Sequence, residues 1–413
     1  MRDGVGLVAV IGQEHAARRV GRGLRALRTR GGDTAGVVGL EAGRVRREAG
    51  VAWLDDEPAL DALGGATALG ATLRLGPGPL DRDRAVGLVD PPAVPAVGRV
   101  GEQVVAAVLA GALVDAVEGI ALETPSEVLL ALVQRSSQRT LVNRVVDALW
   151  GLRGGFAGVV ACEGRLVAVR DAWGLRPLVI GRDEGSWVVA SDARAVEACG
   201  ATLLRAVEPG ELVVIEGANL MSVRPLPRRP AAACVMEVLG LGAPGDPFDG
   251  REVDALRRRL GAELAAGAVE ADQVVAADAA SVPAALAWAE ATRARYEAVF
   301  IEGESAVSRC AGQAVVLLTG GPEGAERARR LLRAGAREVH LRALAPPPSH
   351  ACPYGVAVEG WDDTPGLSVD RLRAALGRDV RGAGLCDGCL SGVWPVMPET
   401  REEQLALFRG RSG

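Results

Sequence analysis

Lysine is absent from this sequence; all 47 basic residues are arginine. That excludes Schiff-base chemistry and any phosphate-binding loop built on a lysine. Aromatic residues make up only 3%. The cores must therefore be built from Ala, Val and Leu, and base stacking is excluded as a way of holding nucleic acid. A net charge of −5 leaves no overall basic footprint for DNA or RNA. The three histidines, His15, His340 and His350, form no triad or zinc-protease pattern. The apolar stretch Val104–Val114 is too short and too interrupted by glycine to span a membrane. Met1-Arg2-Asp3-Gly4 leads into no long apolar run, so no signal peptide is expected. These absences point to the reducing cytoplasm, where seven cysteines read as free thiols or metal ligands rather than a disulfide framework.

What is present fits a globular chain of two domains. It has 413 residues, of which 49% are hydrophobic and 24% charged. Val5–Ile11 reads as a buried strand and His15–Arg28 as an amphipathic helix. Ala35–Leu40 and Arg44–Glu48 read as a hairpin, and Thr67–Leu73 as a further strand. Asp81–Val97 is expected to be irregular, and a helix is expected over Gln103–Val114. Thr124-Pro125-Ser126-Glu127 is a capping box with Pro at the first helical position, starting a helix that runs to about Gln134. From Gly155 the pattern turns to short strands joined by turns: Phe156–Ala161, Leu166–Arg170, Leu178–Gly181, Trp187–Ala190 and Glu211–Ile215. That is an antiparallel sheet in an α+β domain. Met221–Pro230 is the linker candidate, placing the domains at 1–225 and 226–413.

Beyond the linker, helices and strands alternate: Val253–Ala266, Gln273–Ala277, Val282–Ala294, Tyr296–Ile301, Gln313–Leu318, Ala325–Ala334 and Glu338–Leu344. Alternation means a parallel sheet with crossovers. Ligands bind beyond the carboxyl ends of such strands. The places to look are Ala277–Ser281 and Thr319–Gly324. The second is a glycine-rich turn into a helix, able to aim N–H groups at a phosphate. Its Glu323 and Glu326 suit the helix dipole and would repel that phosphate.

Cys386-Asp387-Gly388-Cys389 places two thiols three residues apart. Such a pair can grip a metal ion, serve an iron–sulfur cluster or close a redox disulfide. Cys234 and Cys352 could complete a four-thiolate set, or be ordinary buried cysteines. Cys162, Cys199 and Cys310 sit in apolar settings and read as structural.

At this point the order of segments resembles the amidophosphoribosyltransferase family. Arg30-Gly31-Gly32-Asp33-Thr34-Ala35-Gly36 is similar to that family's R-G-x-[DE]-x-A-G turn. Ala168-Val169-Arg170-Asp171-Ala172-Trp173-Gly174-Leu175-Arg176-Pro177-Leu178 resembles its AVRD…G.RPL hairpin, followed by Val207-Glu208-Pro209-Gly210-Glu211. Asp249-Gly250-Arg251, Arg257-Arg258-Arg259-Leu260-Gly261 and Gly335-Ala336-Arg337-Glu338-Val339-His340 continue the match in order. The resemblance implies an αββα glutaminase domain of the N-terminal-nucleophile type and a phosphoribosyltransferase-like domain. It also implies oligomers and, in one branch, a structural [4Fe–4S] cluster held by Cys234, Cys352, Cys386 and Cys389, with zinc as the alternative occupant.

The catalytic positions depart from the family's pattern. Asp3 stands where the family has a nucleophilic Cys, and a carboxylate is a poor substitute in attack on an amide. Arg74 is out of register with the glutamine-binding Arg. No Asn occurs in Val97-Gly98-Arg99-Val100-Gly101, where the oxyanion pair is expected. Pro125 replaces an acid before Ser126-Glu127. In the second domain, Thr319-Gly320 replaces an acid pair, Glu323-Gly324-Ala325-Glu326 replaces the phosphate-cradling turn, and Asp278-Ala279-Ala280-Ser281 replaces a P-D-S-G turn. The expectation is a pseudoenzyme that keeps the scaffold and the cluster. It would act as a partner of an active homologue or as a homo-oligomer, without nucleic acid or membrane. The rivals are a divergent active enzyme and an iron–sulfur sensor.

Overall fold

The structure is a computed structural model that describes residues 5–12, 15–28, 30, 34–50, 57–73, 95–113, 124–227, 229–248, 250–267, 269–301, 304–354, 356, 364–378 and 384–395. The chain divides into two compact units. One holds Asp3–Arg229 and takes back Pro353–Gly355; the other holds Pro230–Cys352 and Val356–Val393. Among the described residues no helix is long and apolar enough to cross a membrane.

Thirteen strands build the first unit. They are β1 (Val5–Ile11), β2 (Thr34–Glu41), β3 (Arg44–Gly50), β4 (Thr67–Leu73), β5 (Ala96–Val100), β6 (Gln103–Leu113), β7 (Gly154–Cys162), β8 (Arg165–Arg170), β9 (Val179–Arg182), β10 (Trp187–Ala190), β11 (Thr202–Ala206), β12 (Leu212–Glu216) and β13 (Asn219–Val223). They form two antiparallel sheets in the orders β11-β9-β10-β1-β4-β2-β3 and β13-β12-β8-β7-β6-β5. Side chains alternate between faces along each strand. On β1, Leu7, Ala9 and Ile11 enter the core between the sheets, where Val104, Ala106 and Val108 of β6 meet them. Val8 and Val10 point the other way, against Val20 and Leu24 of the helix Ala16–Ala26. Across the second sheet, Val105, Ala107 and Leu109 pack on Leu129, Val133 and Val145 of the helices Pro125–Arg135 and Leu141–Trp150. The three clusters separate four layers, αββα. The first helix is amphipathic because one stripe alone faces β1 and β4.

The stretch Gln103–Leu113 is a strand, where the sequence predicts a helix. The error has a physical source. β6 lies between β5 and β7 and is buried on both faces, so its apolar residues run continuously and hide the period of two. Its alanines add helix propensity that the sheet overrides. Strand β5 begins at Ala96, inside the stretch expected to be irregular. Residues 81–94 of that stretch lie outside the described residues. The sequence reading passes over the helix Leu141–Trp150, although Leu141, Val145, Ala148 and Leu149 recur at helical spacing behind the Thr140 cap; the short helix Ala193–Ala198 and strands β11 and β13 offer little period to read. Strand β13 runs to Val223, so ordered ladder extends into the first residues of the expected linker.

Two tight features brace this unit. The β2–β3 hairpin turns at Ala42 (φ 48°) and Gly43 (φ 71°), both left-handed, as a two-residue turn of this hand requires. The Gly43 amide donates to Glu163 at 3.0 Å and pins the turn. The second feature is Asp171, which is fully buried. It accepts from the amides of Trp173 at 2.9 Å, Leu175 at 3.0 Å and Phe156 at 3.3 Å. Burial pushes its carboxyl up to about 6, against the pull of Arg170 and of those amides.

The second unit centres on a parallel sheet. Its strands are β14 (Ala232–Cys234), β15 (Pro247–Phe248), β16 (Arg251–Glu252), β17 (Gln273–Ala276), β18 (Arg295–Tyr296), β19 (Phe300–Ile301), β20 (Glu304–Ser305), β21 (Ala314–Thr319), β22 (Glu338–Ala343) and β23 (Gly384–Cys386). The main sheet has the order β18-β17-β21-β22, all parallel. The helices Val253–Ala265 and Val282–Thr292 pack together where Gly261 lies against Ala284; a side chain on Gly261 would collide with that backbone. The expected strand Tyr296–Ile301 is split. Tyr296 ends β18, while Phe300 and Ile301 form a separate ribbon with β20.

Two outcomes follow. Alanine held in the left-handed region costs about 1–2 kcal/mol, so Ala42→Asn should raise the free energy of unfolding by about 1 kcal/mol in urea titration. For Asp171 the folded carboxyl binds its proton more tightly than the ordinary value of 3.8 allows. The stability this adds is present below that value and is lost as pH rises through about 6. Wild type should therefore lose up to about 3 kcal/mol relative to Asp171→Asn between about pH 4 and about pH 7.5. A pH-independent difference would contradict this.

Candidate functional site

At the carboxyl end of the parallel sheet, β17 is followed by Asp278 and the turn Ala279–Ser281, and β21 by Gly320 and Gly321. The two loops lock onto each other. One carboxylate oxygen of Asp278 accepts from the Ser281 amide at 2.8 Å and from its hydroxyl at 2.7 Å. The other accepts from the Gly320 amide at 3.1 Å, and that amide also lies 2.8 Å from the Ser281 hydroxyl. Thr319 donates its hydroxyl to the Gly321 carbonyl at 2.8 Å and accepts from the Gly321 amide at 3.2 Å. Gly320 packs so closely on the Leu239 carbonyl that a side chain would collide with it. The amides of Gly320 and Gly321 are therefore already paired within the protein. Burial raises the Asp278 carboxyl, and Glu323 beside it raises it further. The mouth is acidic and internally satisfied. The sequence marks Ala277–Ser281 and Thr319–Gly324 as places to look, but misses that Asp278 clamps them together. The readable signal was an Asp three residues before Ser at a strand-to-helix junction, a capping pattern.

The four predicted cysteines lie in the same unit. Cys234 and Cys386 are direct partners across the parallel ladder of β14 and β23. Cys234 closes β14, where the sequence placed it at the strand's opening. Cys389 follows in the short helix Gly388–Ser391 and is buried with Cys234 and Cys386. Its carbonyl accepts from the amides of Ser349 at 2.9 Å and His350 at 3.1 Å, which brings in the segment carrying Cys352. Burial pushes the Cys389 thiol up, with Cys352 and Cys386 adding to the shift. Between the paired thiols Asp387 is buried; Arg373 grips its two oxygens at 2.6 and 3.0 Å, and the Ser391 hydroxyl donates at 2.8 Å. That ion pair helps to hold the loop between the two cysteines. Among the described residues, no three His, Cys, Asp or Glu side chains are grouped as a single ion requires. Cys162, Cys199 and Cys310 are buried and free, as expected.

In the first unit, Asp3 and Arg74–Gly78 lie outside the described residues. Val97–Val100 lies in the ladder between β5 and β6, with Gly101 at the turn and the Gln134 amide donating to the Arg99 carbonyl at 3.1 Å. Pro125 opens a helix capped by Thr124, whose side chain accepts from the Glu127 amide at 3.2 Å. The motif residues that do survive are structural. Arg30 and Asp192 form an ion pair at 3.1 Å with both side chains fully buried, and Asp192 also caps the helix Ala193–Ala198. Arg170 donates to the carbonyls of Arg176, Val207 and Gly174 at 2.6–2.8 Å.

No family model matches the chain. It is 31% identical over 317 residues to the amidophosphoribosyltransferase of Bacillus subtilis (strain 168), across 69% of this chain and 67% of that one. It is 30% identical over 459 residues to the chloroplastic amidophosphoribosyltransferase of Glycine max, across 96% and 79%. Two solved structures superpose over 96% of this chain at 27% identity. One is the glutamine phosphoribosylpyrophosphate amidotransferase from B. subtilis complexed with ADP and GMP, with a TM-score of 0.82 and 98% of its chain covered. The other is described as the allosteric regulatory enzyme of purine biosynthesis, with a TM-score of 0.83 and 97% covered. The glutaminase-like sandwich and the phosphoribosyltransferase-like sheet are matched together and in order, and the chain belongs to the amidophosphoribosyltransferase family of purine biosynthesis.

Proposed function

We propose that this chain is a catalytically degenerate member of its family, a binding or regulatory partner in purine biosynthesis rather than a source of phosphoribosylamine. The observation that carries the reading is the clamp at the mouth of the parallel sheet. A phosphate cradle needs backbone N–H groups free to point outward. Here the turn in the cradle's place is Glu323-Gly324-Ala325-Glu326, with acid where the family has base and hydroxyl, and the neighbouring Gly320 amide is taken by Asp278 and Ser281. Freeing that amide would leave buried polar groups unpaired, at about 1–3 kcal/mol each. A phosphorylated substrate would also have to approach two carboxylates. On the glutaminase side, Asp3 supplies neither thiol nor hydroxyl, and no Asn stands in Val97–Gly101 to stabilise an oxyanion.

The four cysteines support a retained [4Fe–4S] cluster in this proposal. Cys234 and Cys386 share a register position, and Cys389 and Cys352 adjoin them. A cubane spreads its ligands over four corners, whereas one zinc ion draws them to about 2.3 Å from a single centre. Zinc is the alternative occupant of the same four thiolates. Held by four cysteines, the cluster leaves no open coordination position and would be structural, tying the β14–β23 pair to the Cys352 segment. On the family resemblance, the chain would assemble as a homo-oligomer or with an active homologue.

Incubated with glutamine, the purified chain should release no ammonia above a blank, and with phosphoribosyl pyrophosphate and ammonia it should make no phosphoribosylamine. Turnover in either assay would favour a divergent active enzyme. Purified without oxygen, the protein should be brown with broad visible absorbance. Cys389→Ser should bleach it, while Cys310→Ser should not. A colourless protein loaded with zinc would reject the cluster.

A further inference from the structure

Among the described residues, one side of the sandwich carries no further strand beyond its two edges. Strand β3 ends the first sheet and β5 ends the second. Between these edges lies a cavity of about 510 Å³ lined by Gly43, Arg44, Val45, Arg46, Val97, Gly98, Arg99 and Val104. A second cavity of about 240 Å³ adjoins it at Gly43, Arg44 and Val104 and reaches Glu102 and Glu163. The floor is apolar. Val45 sits opposite Leu40 in the β2–β3 ladder and so faces the space between the sheets, yet it is 39% exposed. Val97 and Val104 line the opposite wall.

The rim is cationic in a chain whose net charge is negative. Arg44 has no hydrogen-bond or ion partner among the described residues. Arg46 donates to the Ala62 carbonyl at 2.7 Å and Arg99 to the Glu102 carbonyl at 3.1 Å. None of the three meets a carboxylate in an ion pair within the described residues, although Glu41 stands opposite Arg44 in the ladder. Charged side chains on an edge strand deter pairing with other chains. In β3 the deterrent has a sign: Arg44, Arg46 and Arg47 against Glu48 alone. A second copy of β3 laid antiparallel would set arginine near arginine, so the edge repels itself and admits a strand of opposite charge. The hairpin that carries it is pinned through Gly43 and Glu163, so the edge is held ready.

We propose that this slot binds an extended acidic peptide segment of a partner protein. The segment adds to β3 as a strand, placing its carboxylates on Arg44 and Arg46, which share one face of β3, and its alternate apolar side chains on the other face, beside Val45 and toward Val97 and Val104. Backbone pairing at an open edge supplies affinity, and the pockets for alternate side chains supply selectivity. The proposal does not rest on the loss of catalysis.

The test uses the full chain with an acetylated peptide alternating glutamate and valine, read by hydrogen exchange and by titration. Saturable binding should slow exchange of the β3 amides between Arg44 and Gly50 and weaken as salt rises. A peptide alternating arginine and valine should not bind. Arg44→Glu combined with Arg46→Glu should cut affinity at least tenfold while leaving the circular dichroism unchanged. The proposal is overturned if the β3 amides gain no protection at millimolar peptide. It is equally overturned if a glutamate–proline peptide, unable to form a strand, binds as well. Protection of β3 that rises with protein concentration alone would assign the edge to self-association and overturn it too.

Discussion

Buried backbone donors must be paired, and in both units of this protein a buried carboxylate does the pairing. In the sandwich Asp171 gathers the amides of Phe156, Trp173 and Leu175 at the tight turn after β8. In the parallel-sheet unit Asp278 gathers Ser281 and Gly320 and ties the end of β17 to the end of β21. Asp387, between two cysteines, is held by side chains instead, with Arg373 as its counter-ion and the Ser391 hydroxyl donating to it. Each carboxylate fixes a turn that the hydrophobic core alone would leave free to vary. At Asp278 the same bond also fixes the loop that leads into the acidic turn Glu323-Gly324-Ala325-Glu326.

The pattern of what survives is selective. Arg30, Arg170, Asp171 and Asp192 are buried and tied into ladders, caps and ion pairs. Stranding one partner of a buried pair such as Arg30 and Asp192 costs about 3–5 kcal/mol. Residues of that kind are required by the fold whether or not a reaction takes place. The positions expected to touch glutamine or a ribose phosphate are the ones that depart from the family's pattern. A chain freed from catalysis and held to its fold would show this division. The four cysteines fall on the structural side, since Cys234 and Cys386 are themselves ladder partners.

Much of the fold was legible in the sequence because alternation and capping are local. The strand Val5–Ile11, the hairpin Ala35–Glu48, the capping box at Thr124 and the strand–helix rhythm after Gln273 need only near neighbours to specify them. Strand β6 was not legible, because a strand buried on both faces loses its alternation and its alanines favour the wrong element. The break at Tyr296 was not legible either, since Phe300 pairs with β20 instead of continuing the sheet. At the candidate site the sequence supplied the residues and the missing groups. It did not supply the clamp, which joins Asp278 to Gly320 across 42 positions. The charged slot at β3 and β5 was equally hidden, because it exists only once two sheets end on the same side of the sandwich.

The central claim, that the mouth of the parallel sheet no longer accepts a phosphoribosyl group, is tested most directly by titrating phosphoribosyl pyrophosphate and magnesium into the full chain in a calorimeter. The account predicts no saturable heat up to millimolar ligand. A saturable isotherm, with the Gly320 and Gly321 amides shifting in a nuclear magnetic resonance spectrum, would contradict it.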